Sequence, residues 1–202
     1  MSNISWYDVV DDGPETLQRS LIPIEADTKQ QRSYSTDILP GLLQTLDYAR
    51  AMHTKCSAVL KLTDDSEATA IARLERQTVL DLPGHQFHML IDETALRRTV
   101  GSSEVMAAQI RHLTNSLTAR DHVRIGIIPL DAGFVVPTIN FVLRDTTSAD
   151  SEGITGPIEN KESAEIELVE RTFDLLATTA VYGEEARAIL ARALASHTES
   201  GN

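Results

Sequence analysis

Apolar residues along this chain recur mostly at helical spacing, interrupted by a few short runs that cluster or alternate as strands do. From Trp6 to about Asp37 the pattern is helical but broken. Leu17 and Leu21 share a face and Pro23 interrupts it, which predicts two short helices or one kinked helix. Ser35–Gly41 reads as an extended entry into a turn, after which Leu42, Leu46, Ala49 and His53 recur as one helical face. Thr63–Glu67 offers N-cap chemistry ahead of a helix with Ile71, Leu74 and Thr78 in line, ending before Pro83-Gly84. Phe87–Ile91 is too short for a helix and follows a Pro-Gly turn, so it reads as a strand. Gly101–Glu104 caps a helix through Met106, Ile110, Leu113 and Leu117. Val123–Ile128 and Thr138–Leu143 are two more strands, read as neighbours in one sheet, and the polar stretch Asp145–Pro157 reads as loop. Ile166, Val169, Phe173, Leu176 and Ala180 then mark the clearest amphipathic helix. A shorter one past Gly183 carries Ile189, Leu190 and Leu194, with fraying expected over 196–202. Helices before and after a compact group of strands predict an α+β fold: several helices around a small sheet, ending in an amphipathic helix pair. One domain is expected over 1–202, ordered from about 6 to 195.

Composition narrows the function. An apolar fraction of 42% in 202 residues suffices for a packed core. Lys and Arg number 18 against 30 acids, a net charge of −12 that repels a nucleic-acid backbone and argues against direct nucleic-acid binding. Cys56 stands alone, the N-terminus lacks a basic segment followed by an apolar one, and no run approaches the ~20 residues of a membrane span. A cytoplasmic protein off the membrane is the expectation. The acids gather late, between Asp145 and Glu170, where a solvated face or steering of a basic partner would account for them. Between Arg73 and Arg124 seven arginines meet six acids, making the middle of the chain the better home for an anionic group.

Several residue sets carry candidate chemistry. On the helix beginning at Ser66, Arg73, Arg76 and Gln77 fall opposite Ile71 and Leu74 at ~100° per residue, a face that could line a pocket for an anionic or planar ligand. The competing reading has these arginines bonded to internal acids. Asp92 and Glu93 follow a strand, where side chains emerge at a sheet end, with Arg97 close by. They serve either as proton acceptors or as an N-cap and first-turn acid. Tyr48, with Gln44 nearby, offers a phenol for an oxyanion or, more simply, for a backbone partner. His53 continues an apolar stripe and is either a proton donor or a core-edge imidazole. His85 and His88 straddle a turn without a cysteine, so no metal site is expected, and the absence of phosphate-loop and nucleophile-elbow signatures implies no cofactor.

Pro40-Gly41-Leu42-Leu43-Gln44-Thr45 followed by Asp47-Tyr48-Ala49-Arg50-Ala51 is a long and specific phrase. With Arg73–Gln77, Asp92–Arg98, Ile128-Pro129-Leu130 with Gly133, and Ile154-Thr155-Gly156, it resembles the domain of unknown function that follows the helix-turn-helix in many bacterial Xre-type regulators, also described as antitoxin-like. The resemblance covers about Trp6 to Ala195. It implies an effector domain, here starting without the usual DNA-binding part, and it places an apolar strand where Thr146–Glu152 stands, a strand expected to be lost or replaced by loop. Three functions follow. One is a ligand- or protein-binding module whose pocket uses Arg73, Arg76, Gln77, Arg97 and Gln44. The second is a cofactor-independent biosynthetic cyclase, lyase or isomerase using Glu93 or Asp92 with Tyr48 or His53. The third is an antitoxin-like role with a small basic partner. The partner is thus a small molecule or a small protein, and oligomerisation stays open.

Overall fold

Six strands of the described residues, 5–199 of a computed structural model, join in one mixed sheet. They are β1 (Gln30–Ser35), β2 (Gln86–Asp92), β3 (Val123–Ile128), β4 (Phe141–Arg144), β5 (Ser148–Glu152) and β6 (Pro157–Asn160), in the spatial order β3-β2-β1-β4-β5-β6. β1, β2 and β3 run parallel, whereas β4, β5 and β6 form an antiparallel meander joined to the far edge of β1. Helices flank the strands without regular alternation, and the fold is α+β as the pattern implies.

The helices are α1 (Trp6–Val9), α2 (Pro14–Asp27), α3 (Leu46–Leu60), α4 (Ser66–Arg76), α5 (Glu93–Arg97), α6 (Ser103–Ser116), α7 (Ser163–Thr179) and α8 (Gly183–Glu199). Short 3-10 turns occupy Gly41–Leu43 and Gln77–Asp81. The N-terminal stretch holds two helices, and Pro23 falls inside the second rather than between them. Among the described residues no helix is long and apolar enough to cross a membrane.

Four expectations are corrected. The stretch assigned to broken helix up to Asp37 contains β1, which has β2 on one side and β4 on the other, its backbone groups taken up by both ladders. β4 does not neighbour β3. It pairs with β1 (Tyr34↔Phe141, Arg32↔Leu143), two strands away, because register over long separations is invisible to local pattern. The expected loop 145–157 holds β5, entered through a tight turn in which Asp145 adopts φ 49° and its carboxylate accepts from the Gln30 amide at 2.7 Å. At the C-terminus α8 continues through Glu199, where fraying was expected from Ser196. His197 is buried with Nε2 2.8 Å from the Leu96 carbonyl, and 200–202 lie outside the described residues.

Alternation in the strands divides the packing. One sheet face meets α7, whose Phe173 and Leu176 pack with Tyr34, Leu90, Ile128 and Phe141. The other face is apolar beneath α6 and α8, where Met89, Ile91, Ile125 and Ile127 meet Ile110, Leu113, Ile189 and Leu190. Over β1, β4 and β5 the same face turns polar, and that half borders α2, α3 and α4.

Candidate functional site

The polar half is built from register. Gln31 of β1 lies opposite Arg144 of β4, and Ser33 lies opposite Val142, which in turn faces Asp150 of β5. Alternation therefore puts Gln31, Ser33, Arg144, Asp150 and Glu152 on one face. Across from them, Thr69, Arg73 and Arg76 follow each other along α4 at steps of four and three residues, a single stripe. Three guanidiniums thus enter one interlayer. Arg76, buried, is gripped by the Glu25 carboxylate of α2 (Nε at 3.0 Å, Nη2 at 2.5 Å) while Nη1 donates to Gln18 at 2.5 Å. Arg144, also buried, pairs with Asp150.

Arg73 forms no ion pair among the described residues. Its Nη1 donates to the Gln44 Oε1 at 3.3 Å and its Nε is buried without a partner. Burial, then the neighbouring charge of Arg76, pulls its pKa down to about 10. Other orphaned polar atoms share the interlayer or its walls: Gln31 Oε1, Ser33 Oγ, Thr69 Oγ1, Arg144 Nε, Asp150 Oδ1 and His53 Nε2. Each buried polar group left unpaired costs about 1–3 kcal/mol, so these donors and acceptors are available to a further polar partner. Their mixture of donors and acceptors suits a molecule that carries an anionic group together with hydroxyl or amide functions.

The loop in front of Arg73 is held from every side. Gln44 Nε2 donates to the Leu39 carbonyl at 2.7 Å, and Gln77 Nε2 donates to the carbonyls of Gln44 (2.7 Å) and Gly41 (3.3 Å). Gln109 accepts from the Thr45 amide and donates to the Leu43 carbonyl. Tyr48, fully buried, accepts from the Leu39 amide at 3.1 Å, the backbone role weighed against catalysis. Burial raises its pKa. Arg73 packs close over Gly41, where a Cβ would lie 2.9 Å from Arg73 Nη1 and push the guanidinium aside.

His53 lies on the α3 wall of this region. Burial first, then Arg73 and Arg76, hold its pKa down to about 3, so it stays neutral at physiological pH. An imidazole that far below neutrality is ill-matched to proton transfer there. Asp92 caps α5, accepting from the Thr94 amide at 2.9 Å, and with burial it pushes the Tyr34 phenol up to about 12, burial being the larger cause. Glu93, 3% exposed, accepts from Arg97 (2.6 Å) and from the Leu130 amide (3.3 Å), so it ties α5 to the start of the β3–β4 connection. Tyr34, Asp92 and Thr94 floor a cavity of about 230 Å³ under that connection, on the strand-end side of the sheet and apart from Arg73.

The structure thus brings together Arg73, Arg76, Gln77, Gln44 and His53, while Arg97, Glu93 and Asp92 sit at the ends of the parallel strands. The internal acid for Arg76 is Glu25, on a helix rather than a strand. Gln31, Ser33, Arg144 and Asp150 were not singled out from sequence. In Gln30–Ser35 and Ser148–Glu152 the alternate positions offer only Tyr34 and Ala149 as buried apolar residues, too few to make a strand pattern, and Arg144 ends an apolar strand whose pairing the sequence does not show. Among the described residues no group of three or more His, Cys, Asp or Glu is placed to hold a metal ion.

A family model described as a domain of unknown function, DUF5753, matches residues 18–192. No curated protein and no solved structure matches the chain.

Proposed function

The chain belongs to the DUF5753 family of domains of unknown function, and we propose that it is an effector-type binding module that receives a small polar ligand between α4 and the β1–β4–β5 face. The observation that carries this is Arg73, a buried guanidinium without an ion pair among the described residues and with its Nε unpartnered, on the helix stripe that faces the polar half of the sheet. A buried charge without a counter-charge is costly, and a ligand bearing an anionic group supplies one on binding. The module resembles the domain that follows the helix-turn-helix of Xre-type regulators, where differential affinity for two states would turn ligand binding into regulation. Antitoxin-like action through a small basic partner is the variant of this reading that uses the −12 charge.

A cofactor-independent enzyme is the weaker reading. Glu93 and Asp92 are engaged in ties to backbone and arginine, the Tyr48 hydroxyl accepts from a backbone amide, and His53 is held neutral. The deciding experiment incubates purified protein with extract of its source cells and identifies retained metabolites and proteins by mass spectrometry, for wild type and for Arg73→Met. A small anionic or zwitterionic molecule retained by wild type and lost from the variant is expected. A small basic protein retained equally by both, with no metabolite, moves the activity to the surface; a converted metabolite restores the enzyme.

A further inference from the structure

We propose that the open corner of the sheet face carried by α7 is a second binding site, for a small carboxylate. It lies on the opposite side of β1 from the Arg73 interlayer and does not depend on it. Three basic side chains stand in a row there: Arg32 of β1, His88 of β2 and Arg124 of β3 are successive register partners. Neighbouring strands are roughly 4.8 Å apart, so the three share a face at close quarters. Like charges side by side across a sheet are destabilising, and the row answers this only in part. Arg32 is paired with Glu170 at 2.6 Å and donates to the Asp145 carbonyl at 3.2 Å. His88 is kept neutral by burial and by its two arginine neighbours, against the opposing pull of Asp174.

Arg124 is exposed and forms no ion pair among the described residues. Its guanidinium lies over the Tyr182 ring, 4.0 Å from the centroid. That ring is itself fixed. It rests on Gly126, where a Cβ would come within 2.7 Å of it, and its hydroxyl meets His88 Nε2 at 2.9 Å and the Ala177 carbonyl at 3.4 Å. Stacking pre-organises the planar fork of Arg124 before any ligand arrives. Arg32, His88 and Arg124 line a cleft of about 320 Å³ alongside Gln30 and Gln86, with Asp121 at its rim.

Glu170 pairs with Arg32 and His88 is neutral, which leaves Arg124 as the cation of the row without an ion pair among the described residues, with Asp121 at the rim and Asp174 near His88. A planar fork held in place and without an ion pair matches a carboxylate in both charge and shape, with hydrogen bonds parallel along the fork. Asp121 at the rim disfavours a dianion.

The test titrates the full chain with benzoate, with benzamide as its neutral isostere and with phenyl phosphate as a tetrahedral dianion, by calorimetry and by NMR of the histidine rings. Saturable benzoate binding that shifts the His88 resonance is expected, weakened about tenfold or more in Arg124→Gln and for benzamide. Arg73→Met should bind benzoate as wild type does. Arg124→Lys, which keeps the charge and loses the fork, should bind with intermediate affinity and serves if Arg124→Gln misfolds. No benzoate binding, equal affinity in Arg124→Gln, or equal affinity for benzamide overturns the site. Tighter binding of phenyl phosphate overturns the carboxylate assignment, and loss of benzoate binding in Arg73→Met places it in the interlayer instead.

Discussion

Arg73 and Arg76 sit less than one helical turn apart on α4, yet their replacement by methionine should have opposite effects on stability. Arg76→Met strands Glu25, 2% exposed, without its counter-charge, and should cost about 3–5 kcal/mol in urea denaturation. Arg73→Met removes a cation that no carboxylate pairs with directly, Glu152 and Glu25 acting on it only through space, and keeps most of its volume, so the free protein should gain about 1 kcal/mol while ligand retention is lost. A lower melting temperature for Arg73→Met would remove the argument that its charge is held for a ligand. His53 supplies a pH signature. Its pKa is about 3 folded and about 6.5 in an unfolded chain, so between those values the unfolded state binds a proton that the folded state does not. Stability is therefore full above about pH 6.5 and declines as pH falls toward 3, by at most about 1.4 kcal/mol per unit for this group. His88, held down to about 4 by burial and then by Arg124 and Arg32, adds in the same direction. Denaturation at pH 7 and pH 5 should show wild type losing stability, and His53→Gln losing about 1–2 kcal/mol less than wild type over that interval.

At the level of elements, the strands divide by how they are buried. β2 and β3 were legible because both their faces meet apolar layers, giving near-continuous runs such as Met89-Leu90-Ile91 and Ile125–Ile128. β1, β5 and β6 were not, since Gln-Gln-Arg-Ser-Tyr-Ser, Ser-Ala-Asp-Ser-Glu and Pro-Ile-Glu-Asn bury few apolar groups and hold their places by backbone pairing. The candidate site was half visible for the same reason. Arg73, Arg76, Gln77 and Gln44 show as polar positions on or beside helices, whereas Gln31, Ser33, Arg144 and Asp150 belong to strands or pairings that no local period reveals. Two connections between elements can be tested directly. Glu93→Ala removes the acceptor of the Leu130 amide, and hydrogen exchange at that amide should accelerate about tenfold or more while β2 stays protected. Gly126→Ala sets a methyl 2.7 Å from the Tyr182 ring and 3.0 Å from Leu90, and should cost about 1–3 kcal/mol in denaturant melts, with loss of the Tyr182–His88 contact visible by NMR.

For the molecule as a whole, one face of the sheet carries two chemically different interiors: an oily one beneath α6 and α8, which supplies the stability, and a polar one beneath α4, which spends some of it on unpaired polar groups. The surface is strongly acidic overall, with a charge of −12, so cations concentrated at Arg73 and Arg124 are local exceptions within a repelling field. β1 separates the polar interior from the face that α7 covers. Gln31 and Ser33 serve the first, while Arg32 between them serves the second. The strand is a partition one peptide thick, and its side chains are indexed by parity. A single-residue insertion or deletion within Gln30–Ser35 would turn Arg32 inward and expel its neighbours, trading the lining of both compartments at once. Lengthening the chain by two residues would restore parity. Odd and even changes of length in this segment therefore have unlike consequences: the first exchanges two linings, the second keeps each on its own side.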